Sequence, residues 1–203
     1  MNKKRLMEGY VGIRFNAVRL SCVIPVAAKR FYPKFKSVCR LLKENDMTYA
    51  NAGNISVLFK DGFIITSTGS NLESLGKDEL IYVERCNFKK NTVYYHGRHK
   101  PSSETFMHSL IYSNMPKAKA IIHAHDEFAT RPEILKGDIT ESEKEAPYGS
   151  LELARLAIKT FKKARSIIVL KNHGYVSTAG GLKTACNIIL KTHKLMLKKA
   201  RSL

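Results

Sequence analysis

Residues 120–125 read Ala-Ile-Ile-His-Ala-His, an apolar run that ends on two histidines separated by one residue. The apolar run predicts a buried strand, in which successive side chains point to opposite faces. His123 and His125 therefore project to the same side, close enough for both imidazoles to bind one metal ion. On this motif alone, two polar residues at a strand end are the simpler interpretation, and the ligand pair depends on the other residues described below.

A third histidine follows another predicted strand. Ser166–Leu170 is an apolar run, and Lys-Asn-His-Gly follows it at once, which places His173 at a strand end as well. Three neutral histidines that leave one coordination position open form the ligand set of a catalytic rather than a structural zinc.

A carboxylate comes from a separate segment. Residues 100–104 read Lys-Pro-Ser-Ser-Glu and open a predicted helix, in which Ser102 or Ser103 caps the first turn. Glu104 falls in that turn. It is either a capping residue or a fourth ligand or proton-transferring base beside a metal ion.

Two short turns suggest an anion site. Residues 52–56 read Ala-Gly-Asn-Ile-Ser and residues 66–70 read Thr-Ser-Thr-Gly-Ser, so both combine a glycine with hydroxyl side chains beside a predicted strand. Exposed backbone N–H groups in such turns hold phosphate. A nucleotide P-loop is excluded, because six residues separate Gly69 from Gly76, and Asp78 stands where the motif requires Ser or Thr.

The remaining periodicity predicts one α/β domain. A helical apolar stripe begins at Phe35 and ends near Asn45, and the Asp61-Gly62 pair predicts a hairpin between two short strands. Predicted strands cover 55–59, 63–66, 80–83, 92–95, 120–124, 166–170 and 175–177, and further helices cover 103–114, 151–163 and 181–201. Because many strands are hairpin neighbours, we expect a central, mainly antiparallel β-sheet flanked by helices.

Composition excludes several classes of protein. The chain has 203 residues, of which 44% are hydrophobic and 26% charged, so a disordered chain, a collagen-like repeat and a membrane bundle are all excluded. The four cysteines are scattered and form no CxxC pair, which favours a reducing compartment and therefore a cytoplasmic protein.

The charge is concentrated at the two ends of the chain. The formal net charge is +18, and residues 1–40 hold ten basic side chains against one acid. Residues 183–203 hold six basic side chains and no acid, so the middle of the chain is nearly balanced. Such runs indicate a solvated face or a nucleic-acid-binding surface. We predict a basic N-terminal extension over 1–34 and the folded domain over 35–203.

Taken in order, the five motifs resemble a known family. Gly-Asn-Ile-Ser, Ser-Thr-Gly-Ser, Pro-Ser-Ser-Glu, His-Ala-His and Asn-His-Gly are similar to the motifs of the class II aldolase and adducin-head family. The chain most resembles the L-fuculose-1-phosphate aldolase branch of that family. The resemblance extends from about Phe35 to Ala200.

The resemblance implies roles for particular residues. Four match the family's metal site: His123, His125 and His173 as zinc ligands, and Glu104 as the carboxylate that lies at the metal and moves protons. Six match positions that hold the substrate phosphate: Gly53, Asn54, Thr68, Gly69, Ser102 and Ser103. It also implies one Zn²⁺ per subunit, a small phosphorylated sugar as substrate, and a homotetramer with active sites at subunit interfaces. Neither a membrane nor a nucleic acid is implied as partner.

The implied reaction is cleavage or formation of a ketose 1-phosphate from dihydroxyacetone phosphate and an aldehyde. Departures from the family pattern concern its tyrosines. Residues 126–147 hold no tyrosine where the branch has a proton donor, the chain ends before the branch's C-terminal tyrosine, and Tyr148 matches a turn-forming position.

Three other functions stay open. A sugar-phosphate 4-epimerase or a methylthioribulose-1-phosphate dehydratase of the same superfamily uses the same three histidines. A non-catalytic adducin-like head lacks them, so their presence argues against it. A basic nucleic-acid-binding protein would show an affinity that falls steeply with salt.

Overall fold

Residues 13–48, 51–135, 137 and 139–202 are described by the structure, a computed structural model. The strands are β1 Asn16–Ser21, β2 Asn54–Phe59, β3 Gly62–Thr66, β4 Leu80–Asn87, β5 Thr92–His96, β6 Ala120–Ala124, β7 Ile167–Leu170 and β8 Gly174–Ala179. The helices are α1 Tyr32–Glu44, α2 Thr105–Asn114, α3 Pro132–Leu135, α4 Leu151–Phe161 and α5 Leu182–Ala200, and short 3₁₀ turns connect some elements.

The eight strands found within the described residues form one sheet in the order β1-β5-β4-β3-β2-β6-β8-β7. Every neighbouring pair is antiparallel except β1 and β5, which run parallel. The predicted single α/β domain with a mainly antiparallel sheet and flanking helices is therefore confirmed. The predicted strands and long helices all occur, with ends shifted by a few residues.

Two apolar cores pack on opposite faces of the sheet. The alternation of strand side chains separates them: Ile122 of β6 belongs to the core under α1 and α5, and its neighbour Ile121 belongs to the core under α2 and α4. On β2, Ile55 and Val57 face α1 and α5. Asn54 precedes Ile55, and Ser56 lies between Ile55 and Val57. Both polar residues consequently face the layer that contains α2.

The region before Phe35 contains a strand that the sequence does not signal. Residues 16–21 form β1 at an edge of the sheet, with each residue exposed or half-buried and no regular alternation, and residues 26–31 form a 3₁₀ turn before α1. Because β1 is an edge strand, it buries few apolar side chains in the core. Its sequence therefore shows no clear hydrophobic period. Residues 1–12 of the predicted extension lie outside the described residues, and the boundary at 34 stays a prediction.

Gly62, the first residue of β3 after the turn from β2, faces the backbone of β4. A Cβ atom built on Gly62 would lie 2.1 Å from the carbonyl oxygen of Val83. We predict that Gly62→Ala lowers the free energy of unfolding by about 1–3 kcal/mol, because neighbouring backbone must move to accept the methyl group. Urea denaturation measures the change.

Gly180→Ala is the matched control, since a Cβ at Gly180 meets nothing within 4 Å. Its free energy of unfolding should stay within about 0.5 kcal/mol of the parent value. Equal destabilisation by the two substitutions would contradict the packing argument.

Candidate active site

Sheet pairing brings the three histidines together. Strand β6 pairs antiparallel with β8, and Ala124 lies opposite Tyr175. Strand β8 in turn forms a tight hairpin with β7, in which Leu170 pairs with Gly174. The hairpin turn, which contains His173, therefore lies beside the end of β6, although fifty residues separate His173 from His123.

The imidazoles converge through the same nitrogen. His123 Nε2 lies 3.0 Å from His125 Nε2 and 3.1 Å from His173 Nε2. The potential ligand atoms of all three residues lie within 4.8 Å of one another. Nitrogen ligands that share one zinc ion at about 2.0–2.1 Å lie roughly 3.3 Å apart in a tetrahedral arrangement. Both distances from His123 Nε2 are close to that value.

Hydrogen bonding and burial prepare these rings as neutral ligands. His123 Nδ1 lies 2.9 Å from the carbonyl oxygen of Tyr175, which can only accept, so Nδ1 carries the proton and Nε2 keeps its lone pair. Burial, followed by the proximity of the other imidazoles, holds the pKa values of His125 and His173 well below the ordinary range. Neutral imidazole is the form that binds a metal ion.

Glu104 completes this group of side chains. Its Oε2 lies 3.3 Å from His123 Nε2, and its Oε1 lies 3.4 Å from His173 Nε2. The carboxylate is buried, and Oε1 accepts no hydrogen bond from the part of the chain that the structure describes. A buried carboxylate oxygen without a donor, beside three nitrogen lone pairs, is a donor set that fits a divalent cation.

The capping interpretation of this segment requires a correction. Glu104 itself occupies the N-cap position of α2, and its side chain makes no capping hydrogen bond. Ser102 Oγ instead accepts a hydrogen bond from the Glu104 backbone N–H, at 3.3 Å. The Glu104 side chain is thereby left to point at the histidine cluster.

The residues predicted to hold phosphate lie next to this cluster. Asn54 pairs directly with His123 across β2 and β6, and its Nδ2 donates to Glu104 Oε2 at 2.8 Å. Gly53 precedes it with φ +86°, and a Cβ there would lie 2.8 Å from the His123 carbonyl oxygen. This close approach with a positive φ explains why the turn contains a glycine.

The second turn adjoins the start of α2 through backbone hydrogen bonds. The Thr68 N–H donates to the Lys100 carbonyl at 2.9 Å, and the Ser102 N–H donates to the Thr66 carbonyl at 3.1 Å. Gly69 is the exposed tip of this turn, whereas Ser102 and Ser103 are buried beneath it. All six predicted phosphate positions thus lie on segments that meet around Glu104, and their binding of phosphate stays a prediction.

A buried polar network extends from the site into α2. His108 lies between Asn54 and Ser56 with hydrogen bonds of 2.6 Å to each, and Ser56 Oγ lies 2.7 Å from the Tyr112 hydroxyl. Burial lowers the pKa of His108 to about 3. His108 is thus a buried histidine with a hydrogen-bond partner at each ring nitrogen. The participation of Ser56 and Tyr112 was not predicted, although the four-residue spacing of Glu104, His108 and Tyr112 signals one helix face.

Tyr148 and Asp126 also lie close to the cluster. The ring of Tyr148 meets the His173 ring edge-on, with the centroids 6.5 Å apart. Asp126, directly after His125, is buried and lies 2.6 Å from His193 Nδ1 of α5. Its other carboxylate oxygen accepts the Phe128 N–H, so it holds the chain in place after β6.

The mainly antiparallel sheet with helices on both faces thus carries three imidazoles at strand ends and a buried carboxylate at the start of a helix, a donor set that fits a divalent metal ion. The chain belongs to the family described as Class II Aldolase and Adducin N-terminal domain, whose model matches residues 34–196. This match confirms the family resemblance and, at family level, the predicted class of carbon–carbon lyase.

Individual relatives agree with this assignment. An L-fuculose phosphate aldolase of Methanococcus maripaludis is 31% identical over 157 residues, covering 70% of this chain and 81% of the relative. A 5-methylthioribulose-1-phosphate/5-deoxyribulose-1-phosphate aldolase of Rhodospirillum rubrum is 27% identical over 158 residues, covering 71% and 68%. A solved structure of an L-fuculose 1-phosphate aldolase superposes with a TM-score of 0.73 at 26% identity, covering 88% of this chain and 87% of that one. No helix within the described ranges has the length and apolar character to span a membrane.

The burial of Glu104 generates a stability prediction. In the presence of a chelator, we expect Glu104→Gln to raise the free energy of unfolding by about 1–3 kcal/mol, because a neutral amide replaces a buried carboxylate with an unpartnered oxygen. Denaturant titration in a chelating buffer measures this. The control is Glu127→Gln, at an exposed carboxylate nearby, which should change the free energy by less than about 0.5 kcal/mol. A loss of stability in Glu104→Gln would contradict the prediction.

Proposed function

We propose that the protein is a zinc-dependent aldolase that cleaves or forms a ketose 1-phosphate, similar to fuculose 1-phosphate, with dihydroxyacetone phosphate and an aldehyde as the other reactants. One observation carries the proposal: three imidazoles and the buried Glu104 carboxylate converge at one point beside turns suited to phosphate. His123, His125 and His173 would hold the ion, with Glu104 as a further ligand or a base beside it.

When bound, zinc supplies a Lewis acid that polarises substrate oxygens and stabilises the negative charge that develops when the carbon–carbon bond breaks. Glu104 is the residue proposed to carry the proton, because its carboxylate is within hydrogen-bonding reach of the region where the three histidines converge. Its burial excludes bulk water from the proton transfer.

The phosphate turns would fix the other end of the substrate. Gly53, Asn54, Thr68 and Gly69 come from the two turns, and Ser102 and Ser103 come from the segment before α2. Together they offer amide, hydroxyl and backbone donors on one side of Glu104. Holding the phosphate there keeps the reacting carbon in register with the carboxylate, so a large part of the rate gain is positional.

Metal content tests the ligand set. We expect purified protein to contain one divalent transition-metal ion per chain, and His123→Ala or His173→Ala to lose it, because each substitution removes one of three nitrogen ligands. Elemental analysis after exhaustive dialysis measures the ratio. His99→Ala, at an exposed histidine, is the control and should keep the metal. A metal-free parent protein, or full occupancy in His123→Ala, would contradict the proposed site.

Product analysis tests the reaction. Ketose 1-phosphates, including fuculose 1-phosphate and 5-deoxyribulose 1-phosphate, should release dihydroxyacetone phosphate, and Glu104→Ala should reduce the rate at least about 100-fold, as expected on loss of a general acid–base group. The 5-deoxy substrate is included because one relative is named for it. Full activity of Glu104→Ala would exclude Glu104 as the proton carrier.

The same panel separates the alternative functions. Epimerisation of a pentulose phosphate, or loss of water from methylthioribulose 1-phosphate, without release of dihydroxyacetone phosphate would replace the aldolase proposal by the corresponding reaction. Absence of turnover together with absence of metal would favour an adducin-like role. Salt-sensitive affinity for nucleic acid would point to the basic residues at the two ends of the chain.

We further propose a cytoplasmic homotetramer with sites at subunit interfaces. The family resemblance supports the assembly, and exposed apolar side chains at Leu20, Val23 and Val26 supply surface suited to burial between subunits. The four cysteines are free thiols, which suits a reducing compartment.

A further inference from the structure

Helix α2 and strand β2 carry a continuous line of buried polar groups that ends on Glu104. The helix contributes three residues at four-residue intervals, and therefore on one face: Glu104 at its N-cap, then His108 and Tyr112. The facing side of β2 contributes Asn54 and Ser56, which are two residues apart. The contacts alternate between the two elements: Tyr112 to Ser56, Ser56 to His108, His108 to Asn54, and Asn54 to Glu104. The four distances are 2.7, 2.6, 2.6 and 2.8 Å.

The chemistry of these groups fixes the direction of every hydrogen bond. Asn54 Nδ2 donates to Glu104 Oε2, and Asn54 Oδ1 faces His108 Nε2. A carbonyl oxygen only accepts, so the proton of the neutral His108 ring resides on Nε2. His108 Nδ1 is then an acceptor, and Ser56 donates to it. The Ser56 oxygen finally accepts from the Tyr112 hydroxyl.

We propose that His108 is a positioning residue that fixes the orientation of the Asn54 amide and, through it, the Glu104 carboxylate. If the His108 donor were lost, the Asn54 amide would be free to turn over. Its oxygen would then face Glu104 Oε2, which lies 2.8 Å from Nδ2 in the structure, and the two oxygens would repel each other. The catalytic consequence rests on the proposed function, but the arrangement of protons does not.

This arrangement also connects the carboxylate with the phosphate turn. The Asn54 amide nitrogen has two N–H groups, and only one is directed at Glu104. The second is available to a phosphate oxygen in the turn that begins at Gly53. Because His108 holds the amide oxygen, the amide nitrogen with both of its N–H groups stays on the Glu104 side of Asn54. Under the proposed function, one buried histidine would thereby orient one donor to the carboxylate and one to the substrate phosphate.

The proton arrangement is tested without any turnover. Protein labelled with ¹⁵N-histidine should show, by long-range ¹H–¹⁵N correlation, one neutral imidazole protonated at Nε2 and unprotonated at Nδ1 that disappears in His108→Gln. It should be present in both the chelator-treated and the zinc-loaded protein. Assignment of the Nδ1–H tautomer or of an imidazolium to His108 at neutral pH would overturn the proposal, whether or not the protein is an aldolase.

The positioning role is tested by comparing two substitutions at the same site. The amide nitrogen of Gln in His108→Gln reaches the position of Nε2 and restores the donor to Asn54, whereas His108→Leu removes it with similar volume. We expect His108→Leu to lower kcat about 10- to 100-fold with one metal ion retained, and His108→Gln to recover most of that loss. Equal losses in the two variants, or full kcat in His108→Leu, would overturn the positioning role.

The far end of the line provides graded controls. Tyr112→Phe removes only the donor to Ser56 and should lower kcat less than threefold, because the His108 tautomer is still set by Asn54. Tyr94→Phe, on β5 outside the site, should leave kcat unchanged. Unfolding midpoints of all variants identify any general loss of structure. If the parent protein has no aldolase activity, the proposed function fails and the tautomer measurement alone decides this inference.

Discussion

The position of β6 between β2 and β8 is the constraint on which the site depends. Its pairing with β8 places the His173 turn beside His125, and its pairing with β2 places Asn54 opposite His123. A shift of either register by one residue would turn the imidazoles to the other face of the sheet, into the apolar core under α1 and α5. His123 Nε2 lies about 3 Å from Nε2 of both His125 and His173, because the pairing of β6 with β8 holds the His173 turn at the end of β6.

Bringing these hydrogen-bond acceptors together lowers the stability of the folded protein, but the effect is confined to this one site. Lone pairs that face one another and a buried carboxylate oxygen without a donor are unfavourable in the isolated protein, and a bound cation removes both problems. The polar line through Asn54, His108 and Ser56 is different, because each of its groups has a partner. Polar groups that have hydrogen-bond partners thus surround a cluster of histidine and carboxylate acceptors that lack donors. This contrast is expected at a site that binds a ligand or catalyses a reaction.

Much of the fold and the metal cluster could be predicted from local signals. The His-Ala-His spacing follows from the two-residue period of a strand, and the hairpin at Asp61-Gly62 follows from turn chemistry. The edge strand β1 could not be predicted, because none of its residues is buried and its pairing partner β5 lies about 75 residues away. Glu104 was expected near the metal, but its N-cap position and the role of Ser102 as the acceptor of its N–H depend on how the segment before α2 packs.

The sequence by itself determined which residue types are present in which order: three histidines at strand ends, a carboxylate at a helix start, and glycine turns with hydroxyl groups. Those features depend on local periodicity and on the chemistry of the side chains. Only the tertiary structure decided that Asn54 lies between His108 and Glu104, and that Ser56 and Tyr112 continue the line. Such contacts join a strand to a helix about fifty residues later in the sequence. The spatial distance between these side chains is set by the packing of the helix layer on the sheet, which no local sequence pattern encodes.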